Sequence, residues 1–220
     1  MKVLVTGANG FIGKNLQLHL AEKGGFEVVP FTREHTEQDL AGLLGGVDWI
    51  VHLAGINRPQ DPVEFTTGNA GLTQALCNAV KATGQNIPII YTSSIQAERD
   101  NDYGSSKREA EDSLLALHKA NGNPVNIYRL PNVFGKWARP NYNSAVATFC
   151  HNIARDLPVQ INDPDAVINL VYVDDVIASF LRVLEGEAQS GPFVDVEPVY
   201  QITVGELASQ LSRFKATRDN

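Results

Sequence analysis

The chain has 220 residues, 43% of them hydrophobic and 20% charged, which is enough apolar material for one large domain with a buried core. Its net charge of −7, without a long basic run, argues against a nucleic-acid partner. No apolar run approaches the length of a membrane span and the first residues lack a secretory signal, so we expect a cytoplasmic protein that does not contact a membrane.

The cysteines and histidines indicate neither a disulfide nor a metal site. Cys77 and Cys150 are far apart in the sequence and match no zinc or redox spacing, so we expect two buried thiols in a reducing compartment. The five histidines form no ligand cluster, and no metal site is therefore predicted. His52 lies inside an apolar run, which favours a hydrogen-bonded core residue over a ligand or base.

The first elements of the chain are typical of a dinucleotide-binding domain. A predicted strand at 2–6 leads into the glycine-rich segment 7–13, and apolar residues then repeat every four positions, as in a helix that faces a sheet. Glycines at these positions permit a tight turn, a close approach to a pyrophosphate and close helix packing. The predicted cofactor residues of this segment are Gly7, Asn9, Gly10, Phe11, Ile12 and Gly13.

The second predicted strand, 26–31, ends without an acidic residue. Enzymes that prefer NAD usually place an acid there, which accepts a hydrogen bond from the ribose 2′-hydroxyl. Arg33 follows instead and suits a 2′-phosphate, so we predict NADP(H) as the cofactor. A solvated surface arginine remains the alternative interpretation.

A third strand, 47–53, ends in small residues against which a cofactor can lie, and Leu53, Ala54 and Gly55 are predicted to contact it. Arg58, in the following loop, could bind a substrate phosphate or equally cap a helix. The next predicted helix spans 69–83 and carries its apolar face toward the sheet.

Polar groups suited to proton transfer follow the fourth strand, 87–92. Ser93 and Ser94 come at its carboxyl end, where open parallel sheets bind ligands. Tyr103 and Lys107 are four residues apart on a predicted helix, 103–120, and therefore share one face. An ammonium group one turn away is expected to lower the pKa of the phenol. A hydroxyl, a phenol and a lysine at this edge suit proton transfer to or from a carbonyl or alcohol oxygen.

The remaining elements complete an α/β fold, a Rossmann-type doubly wound parallel sheet with a small C-terminal substrate-binding subdomain. A strand at 125–130 precedes a loop, 131–135, and a donor-rich aromatic segment, 136–144. We assign 1–150 to the dinucleotide-binding core and 151–220 mostly to the substrate side, partly interleaved with the core. The subdomain is expected to use 154–161 and 167–173 with a helix at 174–184, then a final strand at 193–196. A capping box at 203–206 begins a last helix that reaches about Phe214.

The glycine spacing, Gly-xx-Gly-xx-Gly, resembles that of the extended, sugar-nucleotide branch of the short-chain dehydrogenase/reductases. Several blocks narrow this resemblance to the bacterial capsule and O-antigen reductases of UDP-N-acetyl-L-fucosamine synthesis. They cover essentially the whole chain: His52-Leu-Ala-Gly-Ile-Asn-Arg-Pro59, Ser93-Ser-Ile-Gln-Ala97, Asn132-Val-Phe-Gly-Lys-Trp137, Pro140-Asn-Tyr-Asn-Ser144 and Tyr172-Val-Asp-Asp175.

The resemblance implies a reaction and a site. It implies NADPH-dependent reduction of a UDP-2-acetamido-2,6-dideoxy-hexos-4-ulose to UDP-N-acetyl-6-deoxy-L-talosamine for surface polysaccharide synthesis. Ser94, Tyr103 and Lys107 become the catalytic set, in which Tyr103 donates the proton, Ser94 holds the carbonyl oxygen and Lys107 binds the nicotinamide ribose. Further cofactor contacts are Asn69, Pro131, Tyr103 and Lys107, and the substrate residues are Arg58, Ser94, Gln96, Asn132, Lys136 and Asn143.

Two departures from related enzymes qualify this prediction. The 4,6-dehydratases of the superfamily carry an Asp-Glu pair after the hydroxyl residue, whereas this chain has Ile95-Gln96, which favours plain hydride transfer. Many extended relatives hold the substrate diphosphate with an arginine before Val-Asp-Asp. Asn169 and its neighbours supply none here, which leaves the anion to Arg58, Lys136 or backbone amides.

Two other functions are compatible with the same motifs. A nucleotide-sugar C4 epimerase would keep tightly bound NAD, which the spectrum of a copurified cofactor would reveal. A non-catalytic NADP-sensing protein typically lacks the Tyr-xxx-Lys pair, which is intact here. The resemblance also implies a homodimer that pairs through the helices at 69–83 and 103–120.

Members of the resembled family continue into a metal-binding cupin domain that epimerises C3 of the keto-sugar. This chain has no such histidine or carboxylate cluster, and its charged tail, 215–220, stands where a linker would begin. We therefore interpret it as the reductase half, which reduces the already epimerised sugar and does not itself exchange the C3 proton.

Overall fold

The structure is a computed structural model that describes residues 1–217. Its main sheet has five parallel strands in the order β2-β1-β3-β4-β5. The strands are β1 Lys2–Thr6, β2 Glu27–Phe31, β3 Trp49–His52, β4 Ile89–Ser94 and β5 Val125–Leu130. Each connection between neighbouring parallel strands crosses a face of the sheet, which is the arrangement that the alternating strand and helix patterns predict.

Helices cover both faces of this sheet, so the predicted doubly wound α/β fold is confirmed. On one face lie α1 Phe11–Lys23 and α7 Val173–Leu184. On the other lie α2 Leu40–Leu43, α4 Leu72–Thr83 and α5 Asp102–Asn121, while a short helix, α3 Val63–Phe65, precedes α4.

Alternating side chains of each strand are buried on opposite faces of the sheet, where they form two hydrophobic cores. In β1, Val3 and Val5 pack against α1 and α7, whereas Leu4 packs against the opposite layer, and all three are fully buried. A strand covered on both faces needs apolar residues at every position, which explains the unbroken apolar runs in the sequence.

A second, three-stranded sheet lies beyond β5. It is formed by β6 Asn132–Phe134, β7 Val167–Tyr172 and β8 Tyr200–Thr203, with β6 parallel and β8 antiparallel to β7. The helices α6 Ala145–Ala154 and α8 Val204–Ala216 accompany it. The predicted capping box begins α8: Thr203 Oγ1 accepts from the Glu206 amide at 3.2 Å, and Glu206 Oε2 accepts from the Thr203 amide at 3.1 Å.

The chain crosses between the two sheets more than once. The helix α7 follows residue 150, yet its buried residues belong to the core beneath the main sheet and face α1. The helix predicted at 174–184 therefore packs on the main sheet and not within the substrate-side subdomain to which we assigned it, while the division at residue 150 stays a prediction. Within the predicted tail, Lys215 and Ala216 still belong to α8, and 218–220 lie outside the described residues.

Two predictions of local structure are wrong. The segment 193–196 runs beside β5 but only Phe193 forms a bridge to it, through Ile127, and the strand β8 was not predicted. Cys77 is buried, which raises the pKa of its thiol to about 11, whereas Cys150 on α6 is exposed.

Within residues 1–217, no helix combines the length with the apolar character that crossing a membrane requires.

Candidate active site

The glycine loop is held between the ends of three strands. Gly7 has a φ of +66°, its amide donates to the Phe31 carbonyl of β2 at 3.1 Å, and its carbonyl accepts from the Gly10 amide at 2.8 Å. A Cβ on Gly7 would stand 2.8 Å from the Ala54 amide nitrogen that follows β3. Only glycine therefore fits this turn.

The loop opens onto the N-terminus of α1. Asn9 and Gly10 are exposed at its tip, and Phe11 and Ile12 begin the helix half-buried. A Cβ on Gly13 would stand 2.4 Å from the Gly7 carbonyl oxygen, so the helix packs directly on the loop. The first turn of α1, which the structure describes in full, carries no acidic side chain. Its positive dipole end is therefore available to an anion such as a pyrophosphate.

Arg33 lies beside this loop. It is exposed and follows the end of β2, two residues after the Phe31 carbonyl that binds Gly7. His35 stabilises the turn that contains Arg33. Its Nδ1 accepts from the Thr32 amide at 3.1 Å, and its ring stacks on Phe31 with centroids 5.6 Å apart. Arg33 is thus an exposed residue of an anchored turn that follows β2.

His52 is a core residue, as predicted. It is fully buried, and burial lowers its pKa to about 3, so the ring is neutral. Thr6 Oγ1 accepts from the amides of Leu53 and Ala54, which leaves its own proton for His52 Nδ1 at 2.6 Å. Thr73 Oγ1 donates to a carbonyl one turn earlier and so accepts from His52 Nε2 at 2.9 Å. This network assigns the tautomer and ties β1, β3 and α4 together.

Asn69 connects the segment that follows β3 with α5. It is buried within a π-helical turn, Thr66–Gly71, that leads into α4. Its Oδ1 accepts from the Ile56 amide at 2.8 Å, and its Nδ2 donates to the Ile56 carbonyl and to Ser106 Oγ, both at 2.9 Å. A Cβ on Gly55 would stand 2.8 Å from Asn69 Oδ1 and 3.1 Å from Lys107 Nζ. Three predicted cofactor residues therefore meet here.

Ser94 and Tyr103 lie near each other at the carboxyl end of β4. Ser94 ends β4 and caps a helical turn, Ile95–Glu98, by accepting from the Gln96 amide at 3.2 Å. Tyr103 is the second residue of α5 and is half-buried against Phe65, with ring centroids 5.6 Å apart. Burial raises the pKa of Tyr103, and the nearby Ser94 hydroxyl partly opposes that increase.

Lys107 lies beneath this pair and is only 5% exposed. Its Nζ donates to the Thr92 carbonyl at 3.0 Å and to the Tyr91 hydroxyl at 3.3 Å. Burial lowers the pKa of Lys107 to about 8, and the negative charge of Glu111 opposes that change. The ammonium is thus held by β4 and turned toward Gly55.

The expected effect of Lys107 on Tyr103 is not found. Burial raises the pKa of Tyr103, because the desolvated phenolate is disfavoured, and the opposing influence comes from Ser94. Lys107 is engaged with Thr92 and Tyr91 instead. Tyr103 consequently holds its proton at neutral pH, as a proton donor must.

The predicted substrate residues lie around the same edge of the sheet. Gln96 is exposed in the turn after Ser94, and half-buried Pro131 links β5 to β6. Asn132 begins β6 and donates to the Asn169 carbonyl at 3.2 Å. Lys136 and Asn143 are exposed in the loop before α6, and Arg58 follows β3. Within residues 1–217, the Gln96 amide makes the one hydrogen bond from this group to a catalytic side chain.

The loop before α6 combines cations with aromatic rings. Trp137 and Asn141 have positive φ angles of 70° and 55°, which non-glycine residues rarely adopt. The guanidinium carbons of Arg58 and Arg139 lie 5.8 Å and 5.5 Å from the Tyr142 ring centroid, and Lys136 Nζ lies 4.5 Å from that of Trp137. In the part of the chain that the structure describes, none of these three cations pairs with a carboxylate.

Sequence reasoning missed several residues that contact this site. Tyr91 and Ser106 carry no motif, and only the pairing of strands and helices brings them to Lys107 and Asn69. Glu111 had a usable signal, since it stands four residues after Lys107 and so shares the face of Tyr103 and Lys107. Arg129 stands inside the apolar run of β5, where a charge needs a partner.

Known proteins resemble the chain over its whole length. A curated relative from Pseudomonas aeruginosa, UDP-2-acetamido-2,6-beta-L-arabino-hexul-4-ose reductase, is 62% identical over 218 residues, covering 99% of this chain and 59% of its own. The crystal structure of capsular polysaccharide assembling protein CapF from Staphylococcus aureus has a TM-score of 0.88 at 38% identity, covering 99% of this chain and 58% of its own. The chain thus spans somewhat more than half of either protein.

A more distant structure agrees in fold alone. UDP-glucuronic acid 4-epimerase from Bacillus cereus, solved with NAD, has a TM-score of 0.88 at 24% identity and covers 98% of this chain and 85% of its own. The sequence pattern of the NAD dependent epimerase/dehydratase family matches residues 3–196. The fold, the glycine loop and this match lead to one conclusion: the chain belongs to the NAD dependent epimerase/dehydratase family.

Proposed function

We propose that the chain is an NADPH-dependent reductase of the C4 keto group of a UDP-2-acetamido-2,6-dideoxy-hexos-4-ulose. The expected product is UDP-N-acetyl-6-deoxy-L-talosamine, for capsule or O-antigen synthesis in the cytoplasm. The observation that carries the proposal is the 62% identity to a reductase named for such a sugar. The contact between Ser94 and Tyr103, with Lys107 beneath it, supports it. The test is enzyme-dependent loss of NADPH absorbance with a panel of UDP-4-keto sugars.

The residues present fit a nicotinamide dinucleotide. The first turn of α1 offers amide groups without a competing carboxylate, and the glycine loop leaves no room for side chains against β3. Gly7–Gly13 would hold the pyrophosphate, and Leu53, Ala54 and Gly55 would line the path to the nicotinamide. Asn69, Pro131, Tyr103 and Lys107 would hold its ribose end. When bound, the cofactor supplies a hydride to the sugar C4.

The side chains divide the proton chemistry among them. Tyr103 donates its proton to the carbonyl oxygen, since burial keeps the phenol protonated. Ser94, which lies near that phenol, donates to the same oxygen and orients it. Lys107, which donates to the Thr92 carbonyl and the Tyr91 hydroxyl and faces Gly55, would bind the nicotinamide ribose.

A preference for NADPH over NADH is proposed to rest on Arg33. A charge-assisted contact with the 2′-phosphate is worth about 1.5–3 kcal/mol. Arg33→Ala should therefore raise the NADPH dissociation constant roughly 10- to 100-fold and barely change that for NADH. Fluorescence titration of both cofactors measures this. Arg213→Ala, an exposed arginine on α8, is the matched control and should change neither constant. Equal losses for both cofactors in Arg33→Ala would mean that Arg33 has a structural role.

We propose that Arg58 and Arg139 bind the diphosphate of the sugar nucleotide. They reach one Tyr142 ring from two different loops and have no carboxylate partner within residues 1–217. This supports an anion site in a chain of net charge −7. The segment 168–170, before Val-Asp-Asp, lacks the arginine that many extended relatives are expected to place there.

Either Arg58→Ala or Arg139→Ala should weaken binding of UDP roughly 10-fold, the scale of one charge-assisted contact. Isothermal titration with UDP and with uridine separates the diphosphate from the base, and only UDP should be affected. If uridine loses as much affinity as UDP, the two arginines support the loop and do not bind the anion.

A homodimer through α4 and α5 stays a prediction, which a light-scattering mass at micromolar concentration would test. The exposed large apolar side chains within residues 1–217 all lie outside these two helices, so such a contact would use smaller or polar residues.

A further inference from the structure

A buried carboxylate lies directly behind the lysine of the site. Glu111 is 1% exposed and stands one turn after Lys107 on α5. Its Oε1 accepts from Ser93 Oγ at 2.5 Å. Arg129 binds it in a bidentate manner, from Nε to Oε1 at 3.0 Å and from Nη2 to Oε2 at 2.6 Å. A buried charge is tolerated only when it is paired and hydrogen-bonded in this way.

Arg129 connects this carboxylate to the turn that follows Ser94. It lies on β5 opposite Ser93 of β4, and its Nη1 donates to Glu98 Oε1 at 2.8 Å. Glu98 ends the helical turn that Ser94 caps. The pair therefore joins the helix that carries Lys107 to both sides of Ser94, through Glu111 to Ser93 and through Arg129 to Glu98.

We propose that Glu111 and Arg129 are positioning residues, which fix the distance between Ser94 on β4 and the Tyr103/Lys107 face of α5. The two segments are joined only by the short stretch 95–101, and no strand pairing fixes the position of a helix against the sheet. The ion pair between Glu111 and Arg129, together with the hydrogen bonds to Ser93 and Glu98, holds α5 in position against β4. Misplacement of a reacting group by about 1 Å can cost roughly 10²-fold in rate, so loss of the Glu111–Arg129 ion pair is expected to slow the reaction.

The arrangement also couples Glu111 to Lys107. The groups that face the lysine are Tyr91 and the Thr92 carbonyl from β4, Gly55 after β3, and Tyr103 and Glu111 from α5; neutral His52 stacks behind Tyr91. Of these, Glu111 carries the negative charge that raises the pKa of Lys107 against the effect of burial. Removing that charge should move the titration of Lys107 to lower pH.

The test compares Glu111→Gln with Glu109→Gln, an exposed glutamate on the same helix. We expect Glu111→Gln to lower kcat roughly 10- to 100-fold with KM within about twofold, and to move the alkaline limb of the kcat profile to lower pH. Glu109→Gln should change neither. Arg129→Lys, which keeps the charge and loses the bidentate contact, should recover part of the rate when compared with Arg129→Gln.

A pH titration followed by NMR of the Lys107 Cε signal, assigned with Lys107→Arg, measures the effect of Glu111 on Lys107 without substrate. The midpoint pH of this titration should fall in Glu111→Gln and stay unchanged in Glu109→Gln. The expected effects on turnover rest on the proposed reductase function, whereas the NMR titration does not depend on it. An inactive wild-type chain would contradict only the reductase function. An unchanged Lys107 midpoint in Glu111→Gln would contradict the positioning role of Glu111 and Arg129.

Folding is checked by circular dichroism and by NADPH affinity. A folded Glu111→Gln variant with wild-type kcat and an unmoved alkaline limb would overturn the proposal. If Glu111→Gln does not fold, Ser93→Ala decides, because it removes one donor to Glu111 and keeps the ion pair. A severalfold lower kcat in Ser93→Ala would support the positioning role of Glu111 and Arg129, and a wild-type kcat would contradict it.

Discussion

Replacing Tyr103 with phenylalanine should lower turnover by roughly 10²-fold or more, the scale of a lost general acid, while NADPH binding stays near normal. The phenylalanine ring keeps the contact with Phe65, and the change removes only the hydroxyl group near Ser94. Steady-state assays give the turnover and fluorescence titration gives the cofactor affinity.

Tyr200→Phe is the matched control, because it removes the hydroxyl of an exposed tyrosine on β8, outside the site. It should behave as the wild type in both measurements. Turnover in Tyr103→Phe close to that of Tyr200→Phe would remove Tyr103 from the mechanism and leave Ser94 or a water as the proton donor.

Gly104→Ala should also lower kcat, by roughly 10-fold or more, although residue 104 touches no reacting atom. An added Cβ would stand 2.2 Å from the Gln96 carbonyl oxygen and 2.6 Å from that of Arg99. Both are backbone atoms of the segment that begins at Ser94, so that segment must move away from α5. The overlap should also cost about 1–3 kcal/mol of stability, a fall in Tm of ~2–4 °C per kcal/mol.

Gly42→Ala separates this clash from the general effect of a glycine replacement. Gly42 also lies in a helix, α2, where a Cβ meets no atom within 4 Å, so alanine there should leave kcat unchanged and raise the Tm slightly. Wild-type kcat in Gly104→Ala would show that the turn after Ser94 can shift without disturbing the site.

The parts of the site that the sequence predicts are those in which local spacing fixes the geometry. A strand, three glycines and a helix can pack in only a few ways, so the environment of Gly7 and Gly13 follows from a short segment. Tyr103 and Lys107 share a face because a helix has a fixed period. The carboxyl ends of parallel strands meet at one edge, which brings Ser94 to that pair.

The parts that the sequence does not predict depend on how whole elements pack against one another. The acceptors of Lys107 depend on where β4 lies against α5, and the pKa of Tyr103 rises instead of falling because that packing buries the phenol. Strand β8 was missed because its residues are mostly exposed and pair with β7 across some thirty intervening positions. Such pairing leaves little periodicity in the sequence.

The proposed reaction is tested most directly by following the hydride. The chain is incubated with NADPH that carries deuterium at the nicotinamide C4, and with the C3-epimerised UDP-2-acetamido-2,6-dideoxy-hexos-4-ulose. NMR of the sugar product is then compared for the wild type and for Tyr103→Phe. We expect one NADPH oxidised per sugar reduced, with deuterium on C4 of UDP-N-acetyl-6-deoxy-L-talosamine, and almost none in the variant. Sugar conversion without net NADPH oxidation, or no enzyme-dependent conversion at all, would contradict a C4 reductase.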